Sequence, residues 1–181
     1  MALTATILHY AIALSDVDRG VYESLDLRVA QHPSETMRFL VTRVLAYALS
    51  YEEGIAFSKG GLSATEEAPI SVRDPTGILL AWIDVGVPSA ERLHKASKAA
   101  RRVAVFTTEP ARLAREASGK SVHKASEIDV WPLDPGIVDA VAAKSTRNTK
   151  IELTRNDGQI YIGIDGATLE APLARASLTD A

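Results

Sequence analysis

An apolar stretch from Ile78 to Val85 runs into Gly86 and Pro88, and a basic helical segment starts at once from Ser89. No other part of the chain so narrows what it can fold into. The stretch reads as a buried strand that stops where Gly and Pro break it. Arg102 to Thr107 is a second short apolar strand. Strand 78–85, helix 89–101 and strand 102–107 therefore predict a βαβ unit and, with it, a parallel pair of strands.

The flanking sequence extends that pattern. Thr4 to Leu14 alternates loosely and predicts a first strand. The turn-rich Ser15-Asp16-Val17-Asp18-Arg19-Gly20 follows, and Tyr22 to Ala30 reads as the returning strand with one wet face. Met37, Leu40, Val41, Val44, Leu45, Ala48 and Leu49 recur at helical spacing, which predicts a helix over 34–50 with Glu35 in its first turn. Residues 55–57 suggest a short strand, and the acidic, turn-rich 62–77 a loop. A helix at 109–118, a strand at 127–131 and a helix at 135–144 continue the alternation. Asn156-Asp157-Gly158 between 149–154 and 159–164 is a strong hairpin signal, with a last strand within 168–176. The expected fold is α/β in one domain over 1–181. Its mixed, strongly twisted sheet has the βαβ unit at the centre, helices 34–50 and 89–101 beside it and an antiparallel hairpin at the C-terminal end.

Composition removes several kinds of chemistry. With no cysteine, the chain has neither disulfides nor thiolate catalysis nor a cysteine zinc site. The four histidines, His9, His32, His94 and His123, lack metal-ligand spacing, and no nucleophile elbow, Walker loop or dinucleotide fingerprint occurs. Gly60-Gly61 alone is too little for a phosphate loop. No apolar run reaches ~18 residues and the start lacks a signal-peptide pattern, so the chain is expected to be soluble and cytoplasmic. The net charge of −3 argues against general affinity for nucleic acid. Residues 91–124, however, hold nine Lys or Arg (92, 95, 98, 101, 102, 112, 115, 120 and 124) against three acids. Such a stretch fits a local anion site, nucleic acid included, and equally fits helices with solvated basic faces.

Two acids frame the central strand. Asp84 lies at its carboxyl end, where α/β sheets open their crevices, and Asp74 precedes the turn Pro75-Thr76-Gly77. Acids in this arrangement, followed by cations, are the parts that hold a divalent metal such as Mg²⁺ against a phosphodiester. The same spacing also describes a turn Asp and a strand-end Asp with no common task. A charge in so apolar a strand costs desolvation unless it has a partner. Arg92, Lys95, Lys98 and Arg102 fall in one arc of the following helix, opposite Leu93, Ala96 and Ala100, which puts Lys95 away from the packed side.

Met1 to Ile7, His32-Pro33-Ser34-Glu35-Thr36, Phe57-Ser58-Lys59-Gly60, Asp74-Pro75-Thr76-Gly77, Trp82-Ile83-Asp84-Val85-Gly86 with Pro88, and Lys95-Ala96 together resemble the YaeQ family. The order and spacing match across nearly the whole chain, up to the terminal hairpin. The resemblance implies a bacterial protein with a PD-(D/E)XK nuclease-like core. Asp74 would be the first motif acid and Asp84 the second, joined by Glu35, and the three would share Mg²⁺ or Mn²⁺. The family usually has Glu where this chain has Asp84. Gly86 occupies the position of the superfamily's lysine, which leaves Lys95, or else Lys59, to supply the catalytic cation. Two functions follow as expectations: a metal-dependent nuclease or phosphodiesterase, or a catalytically degenerate nuclease fold that binds nucleic acid or regulates.

Overall fold

The computed structural model describes residues 5–59 and 65–180. In chain order the elements are β1 (Thr6–Asp16), β2 (Val21–Gln31), α1 (Met37–Leu49), β3 (Ile55–Phe57), β4 (Ile70–Arg73), β5 (Leu79–Val85) and α2 (Ala90–Ala99). They continue with β6 (Arg102–Thr107), α3 (Pro110–Ala117), β7 (Asp129–Pro132), α4 (Pro135–Lys144), β8 (Asn148–Asn156), β9 (Gln159–Ile164), β10 (Ala167–Pro172) and β11 (Ala176–Ser177). The mixed α/β class expected from the sequence holds, but the strands form two sheets, not one. The chain divides into two compact units, residues 1–49 with 133–174, and residues 50–132 with 175–181.

The first unit carries a five-stranded sheet in the order β10-β9-β8-β1-β2, antiparallel except where β1 runs parallel to β8. Its strands alternate as a sheet with one covered face must. Leu8, Tyr10, Ile12 and Leu14 of β1 are buried, as are Ile151 and Leu153 of β8 and Ile160, Ile162 and Ile164 of β9. α1 packs against α4, β1 and β2 through the apolar face that its periodicity predicts. The helix starts at Met37, not residue 34. The Thr36 hydroxyl accepts from the Phe39 N–H (3.2 Å) and caps it, so Glu35 lies outside the first turn. The β8–β9 turn keeps Asp157 and Gly158 at φ 50° and 70°, the two left-handed positions of a type I′ hairpin. Both amides of that turn donate to Asp18 in the β1–β2 turn, at 2.7 and 3.3 Å. These two N–H groups, and after them the Arg155 guanidinium, hold the Asp18 carboxyl below the usual carboxylate range.

The second unit carries a six-stranded sheet, β11-β7-β6-β5-β4-β3, with β5, β6 and β7 parallel and the outer pairs antiparallel. The expected βαβ unit is β5-α2-β6, in the register Ala81↔Arg102 to Val85↔Phe106. Residues 81–85 are all buried, which is why this strand shows no alternation. Trp82, Leu93, Ala96, Val103, Val105, Leu113 and Val130 form a common core. The expected loop over 62–77 contains β4, four residues lodged between β3 and β5. Among the described residues no helix is long and apolar enough to cross a membrane.

Candidate functional site

β5 places Trp82 and Asp84 two residues apart and hence on one face of the strand. Both are buried, with Asp84 only 3% exposed. After Val85, Gly86 turns the chain at φ 82°, a conformation that glycine adopts without a Cβ clash. The Ser89 hydroxyl then accepts from the Arg92 N–H (3.1 Å) and starts α2. This tight strand-to-helix passage folds Arg92 back over the strand it follows. Arg92 Nε donates to Asp84 Oδ2 at 2.7 Å, and Trp82 Nε1 donates to the same oxygen at 2.9 Å. The guanidinium carbon lies 5.3 Å from the Trp82 ring centre, a cation–π contact. The two remaining guanidinium nitrogens donate to the carbonyls of Thr65 and Glu67, the latter at 2.8 Å.

One turn further along α2, the Lys95 ammonium donates to the Glu66 carboxylate. That contact holds the Glu66 carboxyl below the usual range. Glu67 accepts from the Ser58 hydroxyl at 2.9 Å. Asp84, Arg92, Lys95, Glu66 and Glu67 thus gather at one end of the β4–β5 hairpin. Sequence reasoning missed Glu66 and Glu67 because they sit in what reads as an acidic loop. Their signal is the apolar alternation Ile70, Val72 just behind them, which marks the start of a strand antiparallel to β5.

Asp74 is at the opposite end. Its Oδ1 accepts from the Thr76 N–H (2.8 Å), the Thr76 hydroxyl (2.6 Å) and the Ile78 N–H (2.9 Å), closing the β4–β5 turn. The Thr76 hydroxyl, then the Ile78 amide, holds its carboxyl below the ordinary range. Because Asp74 lies opposite Ile78, Asp84 is six residues further along the strand, roughly 20 Å away. The two acids expected to share a cation therefore do not meet. Glu35 has its own partner: Arg43 donates through Nε to Oε1 (2.9 Å) and through a terminal nitrogen to Oε2 (3.0 Å), and the His32 N–H donates to Oε2 at 3.2 Å. Glu35 and Arg43 are both buried. Among the described residues no three His, Cys, Asp or Glu side chains are gathered to hold a metal ion. As arranged, the surroundings of Asp84 do not suit Mg²⁺ or Mn²⁺, since Oδ2 is taken by two N–H donors and a fixed positive charge adjoins it.

Lys95 is half exposed, as its place on the helix predicts. Lys59 is exposed, and the neighbouring Gly60-Gly61 lies outside the described residues. Six of the nine cations in 91–124 face acids: Arg92 with Asp84, Lys95 with Glu66, Arg102 with Glu52, Arg112 with Glu109, Lys120 with Glu116 and Lys124 with Glu127. Lys98, Arg101 and Arg115 are exposed and form no ion pair among the described residues.

Comparison with known proteins agrees with the resemblance seen in the sequence. The family model described as YaeQ protein matches residues 1–173. A relative from Escherichia coli (strain K12), named Uncharacterized protein YaeQ, is 33% identical over 176 residues, covering 96% of both chains. Its counterpart in Salmonella typhi is 32% identical over the same share. Among solved structures, the YaeQ protein from Pseudomonas syringae superposes with a TM-score of 0.83 at 26% identity, covering 96% of each chain. The YaeQ protein from Xanthomonas axonopodis pv. citri gives 0.79 at 29% identity, covering 96% of this chain and 98% of that one.

Proposed function

The chain belongs to the YaeQ family, and we propose that it binds nucleic acid through a PD-(D/E)XK-like strand–helix site that no longer hydrolyses it. One observation carries this reading: the Arg92 guanidinium rests on the Asp84 carboxylate, where a hydrolytic site of this type needs a free acid for Mg²⁺ or Mn²⁺. Gly86 in place of the superfamily's lysine points the same way. The cations that carry the reading are those without an acid partner among the described residues. Lys98 lies exposed on α2 and Arg101 just beyond its end, and phosphate contacts of that kind position a backbone without reading sequence. Affinity is expected to be modest, because the chain is acidic as a whole, and to fall with salt, because each phosphate contact releases counterions.

Fluorescence anisotropy with labelled single- and double-stranded DNA and RNA oligonucleotides tests the proposal. Binding should persist in a chelator, and Lys98→Ala and Arg101→Ala should each weaken it and reduce the salt slope by about 0.7–0.9. If no oligonucleotide binds at low salt, or these variants bind like wild type, the proposal fails. A second reading, hydrolysis with Mg²⁺ or Mn²⁺, draws support from Lys95 and Glu66 lying at the same end of the hairpin as Asp84. It would require Arg92 to leave Asp84.

A further inference from the structure

Natural sheets avoid long bare edges, because unpaired N–H and C=O groups recruit another strand. Three of the four sheet edges among the described residues obey that rule: β11 has two residues, β3 has three, and β10 has six and ends in Pro172. β2 does not. It is an edge strand of eleven residues without proline, in unbroken register with β1 from Val21↔Asp16 to Gln31↔Thr6.

The hydrogen-bond parity says which groups the edge offers. On β1, the His9 N–H donates to the Arg147 carbonyl and the Val17 N–H to the Arg155 carbonyl, so odd-numbered β1 residues face β8. Leu8, Tyr10, Ile12 and Leu14 therefore bond with Val29, Leu27, Leu25 and Glu23 of β2. The N–H and C=O groups of Tyr22, Ser24, Asp26 and Arg28 are left pointing outward. Ala30 has the same parity, and its carbonyl does reach outward, accepting from Arg43 at 3.0 Å. The side chains of Asp26 and Arg28 are exposed on the open face and form no ion pair among the described residues.

We propose that β2 pairs with β2 of a second copy of this chain, antiparallel about a two-fold axis at Leu27, giving a continuous ten-stranded sheet. That register sets Asp26 opposite the partner's Arg28 and Arg28 opposite the partner's Asp26, both as hydrogen-bonded pairs. Leu25 comes opposite the partner's Val29 on the covered face. An axis one residue to either side instead opposes like charges, Asp26 to Asp26 or Arg28 to Arg28. A charged edge that only repelled strands would carry one sign. This edge carries both, spaced so that it complements itself, as an isologous contact requires.

Sedimentation equilibrium of the full chain tests this with a charge swap. Wild type should dimerise. Asp26→Arg and Arg28→Asp should each weaken dimerisation by at least roughly tenfold, since two opposite-charge pairs become like-charge pairs, and the double variant should restore it. Amide exchange by NMR supplies a control for folding. The amides of Ser24, Asp26 and Arg28 should be protected in wild type and fast in the single variants, while those of Leu25 and Leu27, bonded to β1, stay protected in all. A wild type that sediments as a monomer at every concentration, or a dimer indifferent to the swap, overturns the proposal.

Discussion

Replacing Arg43 with methionine is expected to lower the stability of the fold by about 3–5 kcal/mol, the usual cost of leaving one member of a buried ion pair without the other. Arg43 holds both carboxylate oxygens of Glu35, whose side chain has no exposure, and it also satisfies the Ala30 carbonyl. Methionine fills much of the same space, so the loss reports the stranded charge more than a cavity. Urea unfolding followed by circular dichroism reads it directly. The double variant with Glu35→Leu should recover most of the loss, because a buried pair replaced by apolar side chains is close to neutral. A single variant within about 1 kcal/mol of wild type would mean that the pair is not buried as described.

Arg92→Met should also destabilise, by about 2–3 kcal/mol. The figure is smaller because the Arg92 side chain keeps 22% of its exposure and water can partly replace it. Its removal leaves Asp84 with only the Trp82 N–H among its described donors and frees the Thr65 and Glu67 carbonyls. Adding Asp84→Asn to Arg92→Met should return a good part of the loss, since the buried charge is then gone. Lys95→Ala should leave stability close to that of wild type, as Lys95 is half exposed and Glu66 lies in solvent. Equal effects of Arg92→Met and Lys95→Ala in urea unfolding would contradict this account of the site.

What was legible in the sequence was what is local. The βαβ unit was readable because its strand, breaker and helix signals are adjacent, and the β8–β9 hairpin because Asp-Gly supplies both left-handed positions. The split into two sheets was not, because it turns on β1 pairing in parallel with β8, more than a hundred residues on. β4 was hidden by its length, with acids before it and turn residues after it. The apolar context of Asp84 did signal a buried acid in need of a partner. The partner the structure supplies is Arg92, which an ideal helical wheel puts on the solvated stripe while the Gly86–Pro88 passage brings it over the strand. Glu35 similarly reads as a first-turn acid, and its real partner, Arg43, lies eight residues away, beyond the spacings at which helix pairs are sought.

Asp84 is bound to Arg92, and on the proposed reading it serves no metal. Calorimetric titration of Mn²⁺ into wild type and Asp84→Ala at equal concentration separates the two possibilities. Both proteins should give the same result, with no binding heat that depends on Asp84. Saturable Mn²⁺ binding to wild type that disappears in Asp84→Ala would contradict that reading and restore the hydrolytic one.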